Sequence, residues 1–202
     1  MSNTPTYPGF NDFVQDIDKQ LNTNLESTEN ADVIFVCGKS NTGLTTISLK
    51  VGEIQCVKKT KLNNEQTNLA IATNELNAKY LFDLCKDINV ATNRSVYHVF
   101  VDTNPDINNI LTAVKEKQCV CVLDNLQKVN HNDILIEMIK LFLSDVVITH
   151  RFRSPSNKGT QSELLDDLKR TIRDYGLKVL FIMTEKDKET GLINISFSYL
   201  KS

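Results

Sequence analysis

The sequence predicts an α/β fold: a mostly parallel central sheet with helices on both faces and an antiparallel strand at its C-terminal edge. Continuous apolar runs such as 119–124 alternate with amphipathic stretches, a pattern typical of parallel strands that are covered on both faces. The first apolar run, 33–37, leads into a glycine-bounded turn and a helix. The last run, 192–200, alternates apolar and polar residues, as an antiparallel edge strand does.

The remaining elements follow from hydrophobic periodicity and from turn residues. Gly52 is expected to weaken the helix after the first strand by ~1 kcal/mol relative to alanine. Helices are predicted at 10–21, 45–59, 75–88, 104–117, 134–142 and 160–175. In the fourth of these, Asn104 is the predicted N-cap and Pro105 the first residue. In the last, Tyr175 is predicted on the buried stripe, and Gly176 ends the helix. Further strands are predicted at 68–73, 96–103, 146–149 and 177–184. We divide the chain into an N-terminal extension with a short helix, residues 1–31, and a single core domain, residues 32–202.

Composition limits the class of protein. The chain has 202 residues, a net charge of −2, 41% hydrophobic and 24% charged residues, which are ordinary values for a globular domain. A molecule of this charge is not a nucleic-acid binder through its overall field. Its five cysteines form no C-x-x-C pair, so we expect reduced core thiols, no metal site and an intracellular location. No apolar run approaches the ~18 residues of a membrane span, and no secretory signal is visible, so we expect no membrane partner.

A phosphate-type loop is the main candidate site. The pattern G-x-x-x-x-G-K-[ST] is matched by Gly38, Gly43 and Thr45, and Thr46 follows. Leu44 stands where the pattern has its lysine, whose ammonium would reach the β- and γ-phosphates. Two alternatives stay open: Lys39 folds back over the phosphates as a substitute, or the two glycines form an ordinary strand-to-helix turn.

Three other groups of residues are candidates. Asp124 ends a buried strand, where α/β folds place ligands and where a phosphate-loop ATPase keeps its Mg²⁺-binding aspartate. The stretch 150–159 is predicted to be a basic loop that either contacts nucleic acid or is simply a solvated surface loop. Its proposed contacts are His150, Arg151, Arg153 and Lys158. Phe10 and Phe13 either pack the first helix on the domain or anchor in a partner's pocket.

The order of these motifs resembles a known family. A strand–loop–helix unit, a strand ending in Val101-Asp102-Thr103 and a strand ending in Leu123-Asp124 precede a helix and a strand at 177–184. This order resembles the RecA-like P-loop ATPase core, and most of all the eukaryotic strand-exchange recombinases and their paralogues, over residues 33–184. In such ATPases nucleotide binds between neighbouring subunits, so the resemblance also implies an interface role for Asp124.

The departures from that family imply a subunit without activity. Leu44 replaces the lysine, and Asn104 and Pro105 stand where the water-activating carboxylate is expected, so we expect no catalytic residue and a degenerate pseudo-ATPase. The resemblance implies a nuclear recombinase paralogue that pairs with a RecA-like paralogue whose phosphate loop is intact. The pair would modulate a strand-exchange recombinase on single-stranded DNA during homologous recombination repair. No resident cofactor is expected, and ATP with Mg²⁺ would bind only weakly or at a partner interface.

Other functions stay open at this level. An inactive RecA-like accessory subunit of the Elongator tRNA-modification complex, which would be cytoplasmic, also lacks its loop motifs and has similar subunits and tRNA as partners. A small active P-loop NTPase would use Lys39. A plain interaction domain would bind no nucleotide.

Overall fold

The structure is a computed structural model that describes residues 10–25, 31–39, 42–63, 67–73, 96–100, 106–116, 119–124, 131–144, 146–152 and 158–200. Its helices are α1 (Phe10–Leu25), α2 (Leu44–Asn63), α3 (Ile107–Glu116), α4 (His131–Lys140) and α5 (Lys158–Tyr175). Its strands are β1 (Val33–Lys39), β2 (Asn68–Thr73), β3 (Val96–Phe100), β4 (Cys119–Asp124), β5 (Val146–Phe152), β6 (Val179–Lys186) and β7 (Ile193–Leu200).

The strands form one seven-stranded sheet in the order β3-β2-β4-β5-β1-β6-β7. Every neighbouring pair is parallel except β6 and β7, which are antiparallel at one edge. The predicted fold class is therefore confirmed. β5 lies between β1 and β4, and all three strands are parallel. The turn after β1 and the aspartate at the end of β4 therefore both lie at the carboxyl ends of the strands, with one strand between them.

Each face of the sheet has its own hydrophobic core, and strand alternation decides which residues enter it. Ile34 and Val36 of β1 enter the first core, which also contains residues of α1 and α2. Val33 and Phe35 enter the second core, which also contains residues of α3, α4 and α5. The aromatic ring of Phe35 stacks on Phe181 of β6 with 5.2 Å between centroids. Two covered faces explain why central strands such as β1 and β4 have continuous apolar runs.

Most predicted elements are present, with shifted ends. β2 and β4 have the predicted bounds, and β7 differs by one residue. α2 continues to Asn63, four residues beyond its predicted end. Gly176 ends α5 with φ +65°, and the amide of Leu177 donates to the carbonyl of Ile172, as expected of a glycine C-cap. The predicted helix 75–88 and the strand end 101–103 lie outside the described residues.

Three local predictions were wrong. The segment 150–152 belongs to β5, not to a loop, because His150, Arg151 and Phe152 are in register with residues 37–39 of β1. α3 begins at Ile107 and not at Pro105, because the Asp106 carboxylate accepts the amides of residues 108 and 109 and caps the helix there. Tyr175 is exposed rather than part of the buried stripe of α5.

In the described part of the chain, no helix combines the length and the apolar character needed to cross a membrane.

Candidate nucleotide-loop site

The turn between β1 and α2 has the backbone of a strand–loop–helix unit. Gly43 adopts φ +73°, which an L-residue with a side chain rarely tolerates, and its carbonyl accepts the amide of Ile47 in the first turn of α2. Leu44 is the first residue of α2 and is only 3% exposed, within the core between α2, α1 and the sheet. The leucine at the lysine position therefore contributes to the core.

The two residues expected to hold a metal ion lie in contact. The Thr45 hydroxyl, in the first turn of α2, is 3.2 Å from each carboxylate oxygen of Asp124 and donates to that carboxylate. Asp124 is 0% exposed, and strand alternation places it with Val120 and Val122 on the face that α2 covers. Because a buried carboxylate is costly without donors, this contact helps to stabilise the charge of Asp124.

Thr184, which was not among the predicted site residues, explains why position 38 is a glycine. A Cβ at Gly38 would lie 2.1 Å from the Thr184 hydroxyl of β6. That hydroxyl donates to the carbonyl of Cys37 at 3.2 Å and lies 2.9 Å from the Thr42 hydroxyl, which in turn donates to the carbonyl of Lys39. The base of the loop is thus held by two buried threonines. No sequence signal pointed to this contact, because the position of β6 next to β1 is seen only in the structure.

The position of Lys39 on β1 differs in face from that of Asp124 on β4. Lys39 is the exposed last residue of β1, and strand alternation places it with Phe35 and Cys37 on the opposite face of the sheet.

The predicted nucleic-acid residues are only partly described. His150 lies on β5 opposite Cys37 of β1, and burial lowers its pKa below 6.5, so the imidazole is neutral at pH 7. Arg151 is in register with Gly38, and Lys158 begins α5, although neither side chain is among those described. Arg153 lies outside the described residues.

Of the predicted partner residues of α1, one has a described side chain, and Thr46 after the loop lies in α2. Phe13 packs against its own first core, next to Gly43. The side chain of Phe10 is not described. Thr46 is buried in α2.

The site fits one half of a Mg²⁺–nucleotide complex. A hydroxyl and a carboxylate are the oxygen ligands that hold Mg²⁺ in P-loop NTPases, and Thr45 and Asp124 supply both in contact. The phosphate half lacks its cation, because Leu44 is apolar and buried. Asn104 and Pro105, which stand where the water-activating carboxylate is expected, lie outside the described residues. Among the described residues, no group of three or more His, Cys, Asp and Glu could hold a metal ion by itself.

The fold and the loop define a class: an α/β domain with the fold of P-loop ATPases. One solved structure with this fold is the ATPase DotB of Legionella pneumophila, with a TM-score of 0.55 and 11% sequence identity. The match covers 98% of this chain and 52% of the DotB chain, so the chain spans about half of that protein's length. At this identity the similarity shows the fold alone. No family model matches the sequence, and no curated protein sequence matches it.

Proposed function

We propose that this chain is a P-loop pseudo-ATPase: a RecA-like subunit that has kept the fold and the metal-binding pair of the nucleotide site and does not hydrolyse ATP. The observation that carries the proposal is the contact between Thr45 and Asp124 directly beside the buried Leu44. The metal-binding half of the site is intact, while the position that should contact the phosphates belongs to the core.

The missing lysine sets the expected loss of affinity. A hydrogen bond to a charged group contributes ~1.5–3 kcal/mol, which corresponds to about tenfold to hundredfold weaker nucleotide binding. The loss is larger in a phosphoryl-transfer transition state, where charge develops on the transferred group. In this proposal Lys39 does not replace the missing contact; the support is strand alternation, which assigns it to the face of β1 that carries Phe35 and Cys37. The active NTPase that would use Lys39 is therefore the weaker candidate.

A more specific proposal assigns the pseudo-ATPase a role. It would be a recombinase paralogue that pairs with an active RecA-like subunit and modulates recombinase filaments on single-stranded DNA. Its support is the order of motifs along residues 33–184 and the loss of a phosphate-binding group without loss of the surrounding loop. A subunit of this kind would contribute to a nucleotide site shared with its partner. Its own chemistry would not be required.

Co-purification from the source cells tests the recombinase-paralogue role. The tagged chain is compared with a tagged Asp124→Asn variant, after both have been shown to fold by thermal melting. We expect a RecA-like protein with an intact phosphate loop and a strand-exchange recombinase to accompany the wild type. Recovery of Elongator subunits, or of neither set, would overturn the recombination role. In either case the pseudo-ATPase proposal would still be tested by hydrolysis assays on the purified chain.

A further inference from the structure

Helix α1 contacts the phosphate loop through an aromatic ring. A Cβ built at Gly43 would lie 2.4 Å from Cζ of Phe13 and 3.2 Å from each of its Cε atoms, so the tip of the ring points directly at this glycine. Gly43 is also the residue whose carbonyl accepts the first hydrogen bond of α2, from Ile47. The ring therefore packs on the point where the loop becomes a helix.

Three further contacts hold α1 in this position. Ile17 and Leu21, one and two turns after Phe13, are fully buried in the same core as Leu44. Asp18 lies 3.6 Å from Lys50 of α2 in an ion pair.

The third contact is with the edge strand. The Gln20 amide donates to the carbonyl of Ile193 and accepts the amide of Ile195, which joins α1 to β7. Because α1 is attached to both α2 and β7, the Phe13 ring is a fixed contact for the loop.

We propose that α1 is a built-in brace for the phosphate loop, in which Phe13 holds Gly43 and the start of α2 in one conformation without a bound nucleotide. In an active P-loop protein the phosphates are bound by the loop's backbone amides and the lysine. Here the residue at the lysine position is buried in the same core as Phe13. The brace thus replaces ligand contacts by internal ones, and in this respect the inference builds on the proposed weakening of nucleotide binding.

The brace makes a local prediction that ordinary core packing does not. Removing the ring should loosen the loop and the first turn of α2 more than the rest of the sheet. Phe13→Ala is therefore compared with Met138→Ala, since Met138 is fully buried in the second core and belongs to α4. Phe142→Ala serves as the truncation control, because Phe142 is 92% exposed.

The experiment is native-state hydrogen exchange on the full chain, with and without Mg·ATP. In Phe13→Ala we expect about tenfold or faster exchange for the amides of residues 47–50, which begin with the Ile47 amide that donates to Gly43. That factor corresponds to ~1.4 kcal/mol of lost local stability. After correction for global stability, Met138→Ala should show no such local change, and Phe142→Ala should exchange like the wild type.

Different results would overturn the brace and the proposed function. Equal loop exchange in Phe13→Ala and the wild type, or the same local loosening in Met138→Ala, would overturn the brace. Strong slowing of wild-type loop exchange by low concentrations of Mg·ATP would instead overturn the proposed weakening of nucleotide binding, and the comparison of the Phe13→Ala and wild-type chains without nucleotide would still decide the brace.

Discussion

Replacing Thr45 by valine tests the contact on which the site depends. The substitution keeps a β-branched side chain and removes the hydroxyl that donates to Asp124. One hydroxyl carries one proton, so the two 3.2 Å distances count as one hydrogen bond to a charged acceptor. Such a bond contributes ~1.5–3 kcal/mol. For a chain of this length, that loss corresponds to a decrease in Tm of about 3–12 °C.

The assay is urea unfolding at pH 7, with thermal melting as a second measurement. The matched control is Thr23→Val, which removes an exposed helix hydroxyl that donates to the carbonyl of Lys19 four residues earlier. We expect that control to lie within ~0.5 kcal/mol of the wild type, as surface substitutions usually do. If Thr45→Val were as stable as the control, the contact between Thr45 and Asp124 would contribute nothing to the free energy of unfolding, and our account of the site would be refuted.

Three further predictions concern the core and the edge of the site. Gly52→Ala should destabilise the chain, because the added Cβ would lie 2.7 Å from Cγ2 of Val122. Overpacking costs ~1–3 kcal/mol, which outweighs the gain in helix propensity of ~1 kcal/mol. Urea unfolding measures whether the free energy of unfolding falls or rises. Stability should fall as pH decreases through 6.5, where His150 is protonated in the unfolded chain and neutral in the folded one, and His150→Asn should flatten this dependence. Burial raises the pKa of Cys37 and of Cys121 to about 12, so neither thiol should react with a disulfide reagent at pH 8 until the chain unfolds.

Each of these predictions has an outcome that contradicts it. A more stable Gly52→Ala would show that helix propensity outweighs the close approach of α2 to β4. If our reasoning is right, Val122→Ala in the same chain should relieve the closer of the two contacts, the other being Leu69 Cδ1 at 2.9 Å. An unchanged pH profile in His150→Asn would assign the acid sensitivity to other groups. Rapid labelling of native Cys37 or Cys121, followed by mass spectrometry, would contradict their burial.

The sheet was largely predictable because its signals are local. Continuous apolar runs that end in polar residues, such as Cys119–Asp124, need no tertiary information to be recognised as strands covered on both faces. The end of β5 was missed for the opposite reason. His150 and Arg151 are polar or charged and favour a loop by composition, but the parallel register with β1 continues to Phe152, and pairing with a neighbouring strand outweighs the local preference.

The chemistry of the site was predictable in its residue types and not in its packing. Spacing identified Thr45 and Asp124, but only the structure shows that the two side chains touch. No pattern in the sequence links Phe13 to Gly43 or Thr184 to Gly38, because these contacts join residues that are far apart along the chain. Gly52 illustrates the same limit: helix propensity marks it as a weakness, and the structure shows that it lets α2 approach β4 closely.

Single-turnover ATP hydrolysis by the purified full chain tests the central claim most directly. Radiolabelled ATP and Mg²⁺ are incubated with excess wild type, with Thr45→Val and with Asp124→Asn. We predict that none of the three releases phosphate faster than buffer. Hydrolysis by the wild type that either substitution abolishes would contradict the account, because it would show that the site performs catalysis without a lysine at position 44.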